Sequence, residues 1–345
     1  MTEPALQGVE GDAAKLPDPE PGRLPQWHGF NLVEMMNAGS ARPFVASDFE
    51  WISELGFDFV RLPMDYRCWT APEDPYRVRE DVLGRIDEAV ERGGACGVHV
   101  CLNLHRAPGY CVSRENPEPL SLWADAEAQE QFDFQWSMFA GRYRGVPNAR
   151  LSFNLVNEPA RVEADAYVEV AKRAVAAVRR EDPGRLVISD GLRWGNEPVF
   201  ELAGLGVAQS TRGYQPGRVT HYKAQWIDSE GWPEPTWPLE ADGTVWDREA
   251  LRARQIEPWR ALQSQGVGVH VGEFGCYRHT PHDVALALLG DYLSLWRQAG
   301  WGWAMWNFRG PFGILDSGRR DVRYESFRGH DLDRRLLELL KEHCR

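Results

Sequence analysis

Two glutamates in this sequence stand where an apolar run meets polar residues. Residues 152–161 are SFNLVNEPAR, in which the apolar part stops at Asn157 and Glu158, and a second run, VHVGEFGCY, carries Glu273. Two carboxyl groups facing each other across a cleft can hydrolyse a glycosidic bond, because one protonates the leaving oxygen and the other attacks the sugar or activates water. The two glutamates are therefore candidates for a catalytic pair. The gap between them, which decides between retention and inversion, is not fixed by the sequence.

Other polar residues at the ends of apolar runs suit a sugar site. Asn157 can donate a hydrogen bond to a sugar 2-hydroxyl, a contact that strengthens as positive charge develops on the ring. Arg61 can hold one carboxylate ionised, and His105 and His221 can orient hydroxyls. Each residue alone is more often a cap or a salt-bridge partner, but the set together is hard to explain by packing. It also contains Asn31, Glu34, Asp190, Tyr222 and Trp306; Glu34 lines the mouth or caps a helix, and for Asp190 we prefer a structural role.

Short apolar runs alternate with longer amphipathic segments along the chain. Eight strands separated by helices predict a parallel sheet with right-handed crossovers, and eight is the number that closes a (β/α)8 barrel. The residues at the carboxyl ends of the strands then share one mouth, whereas His99 and His270, inside apolar runs, are predicted core residues. The predicted strands are 27–35, 57–64, 97–105, 151–158, 186–191, 219–224, 267–274 and 301–308, and the predicted helices are 78–92, 126–142, 165–181, 248–265 and 281–299.

Composition narrows the class of protein. The 345 residues carry a formal charge of −12 without a basic block, which argues against a nucleic-acid partner. No apolar stretch is long enough to span a membrane. Residues 1–25 lack a signal-peptide pattern and are predicted to be a disordered, Pro-rich leader before a single domain, 26–345. We expect a cytoplasmic protein if this N-terminus is native and a secreted one if a leader has been removed.

The order of motifs resembles glycoside hydrolase family 5. The similar elements are GFNLVEM, VRLPMDY, NLHRAPGY, FNLVNEPA, THYKAQW, GEFG and WAMWNF, between about Trp27 and Asn307. The resemblance implies a (β/α)8 barrel and a retaining mechanism with Glu158 as acid/base and Glu273 as nucleophile. It also implies that Arg61, His105, Asn157, His221 and Trp306 surround the pair, Trp306 as a sugar platform.

One motif departs from the family pattern. Many members have His-any-Tyr on the sixth strand, with the tyrosine bonded to the nucleophile, whereas this sequence has His221-Tyr222-Lys223. Either Tyr222 reaches the site through a shifted strand end, or Lys223 or Tyr277 replaces the tyrosine. Alternation along a strand points Tyr222 away from the face of His221. A lysine in the cleft would favour an acidic or densely hydroxylated substrate.

Fifteen tryptophans are many for one chain, and both a large core and sugar-binding walls explain them. Trp226, Trp232, Trp237 and Trp246 lie in one long Pro-rich segment, and a loop of that length in a compact barrel is usually functional. We expect some of these rings, Trp226 first, to stack on sugars and about half to pin the loop to the barrel.

The sequence thus predicts a barrel that hydrolyses β-glycosidic bonds in β-linked glucans, gluco-oligosaccharides or β-glucosides, without a metal or cofactor. β-Mannosidic or other β-linked oligosaccharides are the alternative substrates. Two other classes remain open: a non-catalytic carbohydrate-binding barrel, and a metal-dependent hydrolase, for which the sequence lacks the expected clustered ligands such as HExxH. Oligomeric state is left open.

Overall fold

A closed barrel of eight parallel strands forms the centre of the protein in a computed structural model that describes residues 16–113, 115–241 and 243–344. Each strand pairs with its sequence neighbours, and the ring closes through pairing of the first strand with the eighth. The prediction of a single (β/α)8 barrel is confirmed. The strands are β1 (His28–Asn31), β2 (Phe59–Asp65), β3 (His99–Ala107), β4 (Leu151–Asn154), β5 (Val187–Asp190), β6 (Ala208–Gly213), β7 (Val269–Phe274) and β8 (Gly302–Met305).

Amphipathic helices cover the outside of the barrel. In Glu80–Cys96 the buried residues recur three and four positions apart, which gives one apolar face towards the strands, and the helix ends at Gly97 in the left-handed conformation. The main helices are α1 (Ala46–Glu54), α2 (Glu80–Cys96), α3 (Ala126–Arg142), α4 (Ala164–Glu181), α5 (Glu257–Gln263), α6 (His282–Ala299) and α7 (Arg334–Glu342). Shorter helical segments are Ala38–Ser40, Tyr66–Cys68, Leu192–Gly195, Phe200–Leu205, Gly217–Thr220, Arg248–Leu251 and Arg252–Ile256. Two-stranded pairings outside the barrel are Thr70–Ala71 with Asp74–Val78, Leu239–Ala241 with Thr244–Trp246, and Glu325–Phe327 with His330–Leu332, while Tyr110–Cys111 pairs with β3.

The prediction of the sixth strand at 219–224 is wrong. That segment holds the end of the short helix Gly217–Thr220 and a turn, and its apolar side chains are buried although it forms no strand. The true strand, Ala208–Gly213, has the sequence AQSTRG and lacks an apolar pattern. Its polar side chains are buried with hydrogen-bond partners instead: Gln209 bonds to the backbone of Val199, and Thr211 to that of Gly195. Hydrophobic periodicity therefore could not identify this strand.

The lower end of the barrel is closed by apolar and aromatic side chains. Trp27 stacks on His99 with ring centroids 3.8 Å apart, and Phe59 packs against both His99 and His270, which lie in the core as predicted. The predicted leader lies partly outside the described residues, but its last part is ordered. The Pro21 carbonyl accepts a hydrogen bond from Gly268 at 2.7 Å, and Leu24 is buried in the same cluster. The ordered domain therefore begins before residue 26.

The upper end of the barrel is polar. Because all eight strands are parallel, their carboxyl ends meet at this end, and buried Arg61, Asn154 and Glu273 meet there with the residues that follow β4 and β5. Of the fifteen tryptophans, seven are fully buried, so packing accounts for about half of them. Among the described residues, no helix is both long and apolar enough to cross a membrane.

Candidate active site

Glu273 lies near the end of β7, where the strand pairing with β6 is irregular. The register shifts between Val271 and Glu273, which places Glu273 beside Arg212. Its carboxylate accepts a hydrogen bond from Arg61 Nη1 at 2.6 Å and another from the Tyr214 hydroxyl at 3.2 Å, and Arg212 Nη2 lies 3.5 Å away. These contacts hold a buried carboxylate in one orientation with its charge compensated.

Glu158 follows β4 on a backbone of unusual conformation. Its φ is +47°, a left-handed value that costs a non-glycine residue about 1–2 kcal/mol. Two neighbours hold it: its N–H donates to Asp190 Oδ2 at 2.9 Å, and its carbonyl accepts from the Tyr110 hydroxyl at 2.5 Å. The side chain is 12% exposed and receives a hydrogen bond from Arg212 Nε at 3.0 Å. The predicted pair thus meets on one guanidinium, although 115 residues separate the two glutamates in the sequence.

The surroundings of Glu158 favour its neutral form. Burial and, after it, the negative charge of Glu273 raise the pKa of Glu158 to about 8, although Arg212 acts in the opposite direction. At neutral pH this carboxyl group therefore carries a proton while Glu273 is paired with Arg61. A protonated carboxyl group next to a carboxylate is suited to act as a general acid.

Arg61 links residues of three strands, among them the predicted Asn31, Asn157 and Glu273. Its guanidinium donates to Asn31 Oδ1 and Asn154 Oδ1 at 2.9 Å each, and to Asn157 Oδ1 at 2.7 Å. Asn157 Oδ1 also accepts from Arg212 Nη2 at 3.0 Å. Since arginine only donates, these two contacts fix which side of the Asn157 amide is oxygen. The Nδ2 group is buried without a partner among the described residues, which leaves a donor available to a ligand.

His105 and Trp306 form a second wall of the site. Their rings stack with centroids 5.6 Å apart and an interplanar angle of 24°. Burial, reinforced by the charges of Arg61 and Arg212, lowers the pKa of His105 to about 3, so its ring is neutral. Its Nδ1 is buried without a protein partner among the described residues. A neutral imidazole with a free nitrogen beside an indole face is suited to one hydroxyl and one face of a sugar.

His221 also reaches the site, although it lies in the loop after β6 and not on a strand. Its Nδ1 contacts Thr220 Oγ1 at 2.8 Å, and its ring packs edge-on against Tyr214 at 5.0 Å. Burial lowers its pKa to about 4, with Glu273 acting in the opposite direction. Trp226 and Phe312 complete this aromatic cluster at 6.0 and 5.9 Å from the His221 ring.

The tyrosine bonded to Glu273 is Tyr214, and none of the three predicted substitutes takes that place. Tyr222 is buried with Lys223 Nζ over its ring at 4.9 Å, and Tyr277 packs against Trp226 at 4.9 Å. Lys223 is exposed and lines a surface cavity of the loop that extends to Trp232. The prediction failed because it rested on the wrong sixth strand.

Arg212 and Tyr214 escaped the sequence prediction in this way. Arg212-Gly213-Tyr214 at the end of β6 has the spacing of the His-any-Tyr pattern with arginine in the histidine position. Relaxing the first position of the pattern would have found both Arg212 and Tyr214. Asp190, for which a structural role was preferred, contacts Arg212 and the backbone N–H of Glu158 and therefore belongs to the site.

Glu34 does not join the pair. Its carboxyl is buried in the loop after β1, 3.6 Å from Arg42, with burial raising its pKa and Asp48 nearby. No group of three or more His, Cys, Asp or Glu side chains within residues 16–113, 115–241 and 243–344 is arranged to hold a metal ion.

The rim tryptophans divide into two groups. Trp226 and Trp194 are exposed by 52% and 41%, and Arg161 lies over the Trp194 ring at 5.2 Å. Trp237 instead donates to Asp291 at 2.8 Å, and Trp123 packs edge-on against Tyr110. The rings of the second group anchor loops, whereas those of the first present apolar faces to solvent.

Comparisons with known proteins identify the relatives of this chain. The sequence matches the profile described as Cellulase (glycosyl hydrolase family 5) over residues 20–310. Endoglucanase C of Acetivibrio thermocellus is 25% identical over 304 residues, covering 81% of this chain and 88% of that protein. Cellodextrinase A of Ruminococcus flavefaciens is 28% identical over 192 residues, covering 52% and 54%. A crystal structure described as that of a glycoside hydrolase matches with a TM-score of 0.88 and 44% identity, covering 92% of this chain and 99% of the other.

Proposed function

Since the chain belongs to glycosyl hydrolase family 5 and is a glycoside hydrolase, we propose that it hydrolyses β-glycosidic bonds in β-linked glucans and gluco-oligosaccharides with retention of configuration. Glu158 is the acid/base and Glu273 the nucleophile. Two carboxyl groups on one guanidinium, one protonated at neutral pH and the other paired with Arg61, support this assignment most directly. The glucan substrate is supported by the similarity to an endoglucanase and a cellodextrinase.

In the first step an oxygen of Glu273 attacks the anomeric carbon while Glu158 transfers its proton to the glycosidic oxygen. The bond between that oxygen and the anomeric carbon breaks, and a glycosyl ester forms on Glu273. Arg61 and Tyr214 hold the attacking carboxylate, so little reorganisation is needed before the attack.

In the second step the roles of the carboxyl groups change. Ester formation removes the negative charge of Glu273, which had raised the pKa of Glu158. The pKa of Glu158 therefore falls, so this group stays ionised once it has given up its proton and is available as a base. It takes a proton from water while the water oxygen attacks the anomeric carbon and the ester bond breaks. Two inversions at that carbon give net retention.

Two unpartnered buried groups suit the recognition of sugar hydroxyls. Asn157 Nδ2 lies beside Glu158 in sequence and has no protein acceptor among the described residues, which agrees with donation to the 2-hydroxyl at the cleavage point. His105 Nδ1 is the other such group, and the Trp306 ring beside it offers an apolar face to the same sugar. Polar groups and an apolar platform that are already in place stabilise the transition state better than bulk water does.

The test compares the wild type with Glu273→Gln and Glu158→Gln on soluble β-linked gluco-, manno- and xylo-oligosaccharides, with product anomers followed by proton NMR. We expect the β-anomer first from the gluco series, with both variants folded and at least about 1,000-fold slower. Glu118→Gln is the matched control, because that carboxyl is 4% exposed and ion-paired with Arg106 but contacts neither glutamate.

Each other outcome corrects a different part of the proposal. Turnover confined to the manno series would replace the substrate, and an α-anomer appearing first would replace retention with inversion. Wild-type rates in Glu273→Gln would remove the nucleophile. We expect full activity in a metal chelator, and loss of activity that added metal restores would favour a metal-dependent hydrolase.

A further inference from the structure

Arg212 is a fully buried arginine whose five N–H groups all have acceptors. Nε donates to Glu158 Oε1 at 3.0 Å, Nη1 donates to the Ser210 hydroxyl at 3.0 Å and to the Thr211 carbonyl at 3.1 Å, and Nη2 donates to Asn157 at 3.0 Å and to Asp190. A guanidinium with every donor used cannot rotate without losing hydrogen bonds. Its orientation next to Glu158 is therefore fixed.

Two glycines provide the space that this guanidinium occupies. A Cβ atom at Gly195 would lie 2.7 Å from Arg212 Cγ, and one at Gly272 would lie 2.7 Å from Arg212 Nη1 and 2.4 Å from Ser210 Oγ. Atoms cannot approach so closely, so an alanine at either position would displace the arginine or the strand. The neighbouring strand and loop are shaped around this side chain.

Asp190 acts on Glu158 in two ways at once. Its Oδ2 accepts from the backbone N–H of Glu158 at 2.9 Å and also binds Arg212, while Oδ1 accepts from Asn154 at 2.8 Å. The first contact stabilises the left-handed backbone of Glu158, and the second compensates the charge beside its carboxyl group. A single carboxylate thus connects the backbone and the side-chain surroundings of Glu158.

We propose that Arg212 and Asp190 form a positioning unit for Glu158, which fixes its carboxyl group through the guanidinium and its backbone through the carboxylate. This inference rests on the proposed function, in which Glu158 is the acid/base. The family pattern has histidine in the place of Arg212, and a neutral histidine would need no buried counter-ion. The arginine and the aspartate are therefore a matched pair in this chain.

The two members of the unit act on Glu158 with opposite electrostatic signs. The carboxyl group faces Arg61 on β2, Asp190 on β5, Arg212 on β6, Tyr214 after β6 and Glu273 on β7. Burial and the charge of Glu273 raise the pKa of Glu158 most; of the remaining charges, Arg212 lowers it and Asp190 raises it. Removing one member should therefore shift this pKa in the direction opposite to removing the other.

The experiment measures kcat/KM against pH on a soluble aryl cello-oligosaccharide for the wild type, Arg212→Met and Asp190→Asn. The alkaline limb reports the proton on Glu158 in the free enzyme. We expect it to move up in Arg212→Met and down in Asp190→Asn, each by about one pH unit, a tenfold change in the protonated fraction on that limb. Arg185→Met is the matched control, because Arg185 is buried and paired with Asp182 at 2.8 Å but lies outside the site.

A residue with only a structural role would lower stability without moving the limb, as we expect for Arg185→Met. Shifts in the same direction, or no shift in either site variant, would overturn the proposal. If the site variants are too slow to assay, the ¹³C NMR titration of the Glu158 carboxyl in the same proteins gives the same comparison without turnover.

The double variant Arg212→His with Asp190→Asn tests the matched pair. We expect its kcat/KM to exceed, by about tenfold or more, the value obtained by adding the losses of the single variants Arg212→His and Asp190→Asn. The reason is that each of these single variants leaves one buried charge without its partner. Additive losses would refute the pairing. A fully active Glu158→Gln would instead refute the proposed function, and would do so whatever the limbs of the Arg212 and Asp190 variants show.

Discussion

The raised pKa of Glu158 leads to a quantitative prediction about the pH dependence of the reaction. With a pKa of about 8, Glu158 is protonated in about nine tenths of molecules at pH 7 and about one tenth at pH 9. At its ordinary value of 4.5, only about 0.3% would be protonated at pH 7, a difference of about 300-fold in the active form. We therefore expect the alkaline limb of kcat/KM near pH 8.

Replacing Glu273 by glutamine tests the cause of this shift. Oxygens of the two carboxyl groups lie 3.0 and 3.5 Å from nitrogens of one guanidinium. At the separation of about 5.5 Å that a retaining pair requires and an effective dielectric constant of about 20, two unit charges repel by about 3 kcal/mol, or about 2.2 pH units. Since Arg212 lies between them and screens part of this repulsion, we expect Glu273→Gln to lower the pKa of Glu158 by about one unit.

The assay is a ¹³C NMR titration of carboxyl-labelled glutamate from pH 3 to 10, with the Glu158 resonance assigned by its absence in Glu158→Gln. Glu118→Gln is the control and should leave the Glu158 midpoint unchanged. A wild-type midpoint near 4.5 would refute the inferred protonation state. A midpoint that stays near 8 in Glu273→Gln would refute the electrostatic coupling between the two carboxyl groups.

Three further predictions concern the donor, the packing and the lower end of the barrel. Asn157→Ala should lower kcat/KM by about 100-fold on a β-glucoside, because a donor to the 2-hydroxyl is lost, but far less on the matching 2-deoxyglucoside; equal losses on both would disprove that contact. Gly272→Ala should lower the free energy of unfolding in urea by about 1–3 kcal/mol, whereas Gly204→Ala, which has open space around its Cβ, should not; equal effects would contradict the close packing at Arg212. Burial lowers the pKa of His99 and of His270 to about 3, so the unfolded chain binds more protons than the folded one below pH 6.5. The free energy of unfolding should therefore fall with decreasing pH below about 6, by up to about 1.4 kcal/mol per pH unit for each histidine, and His270→Gln should reduce that slope by one histidine; an unchanged slope would refute the assignment.

The sequence predicted the parts of this site that local patterns encode. Glu158 follows the apolar run that forms β4, Glu273 lies near the end of the run that forms β7, and Arg61 lies within a third such run. Those runs are buried strands, so their ends could be located from hydrophobicity, and the parallel topology brings the ends together. The family resemblance then supplied the expected roles.

The parts that escaped prediction depend on pairing across the sheet. Strand β6 has few apolar residues, and its polar side chains are satisfied by hydrogen bonds, whereas the apolar residues of 219–224 are buried in a segment that is not a strand. The role of Asp190 depends on the register that places it opposite Ser210, two residues before Arg212. The pKa of Glu158 depends on groups from four strands at once. A linear pattern does not contain these relations.

The charges of the site explain why one carboxyl group holds a proton. Two buried guanidiniums, Arg61 and Arg212, face three carboxyl groups, so full ionisation would leave an excess negative charge in a desolvated place. One proton on Glu158 removes that excess. In the proposed first step Glu158 gives its proton to the leaving group while Glu273 becomes a neutral ester, so the total charge of the network is the same before and after. The arginine at position 212, with Asp190 as its counter-ion, adds one positive and one negative charge and leaves that balance intact, which is why we expect the two residues to be replaceable only together.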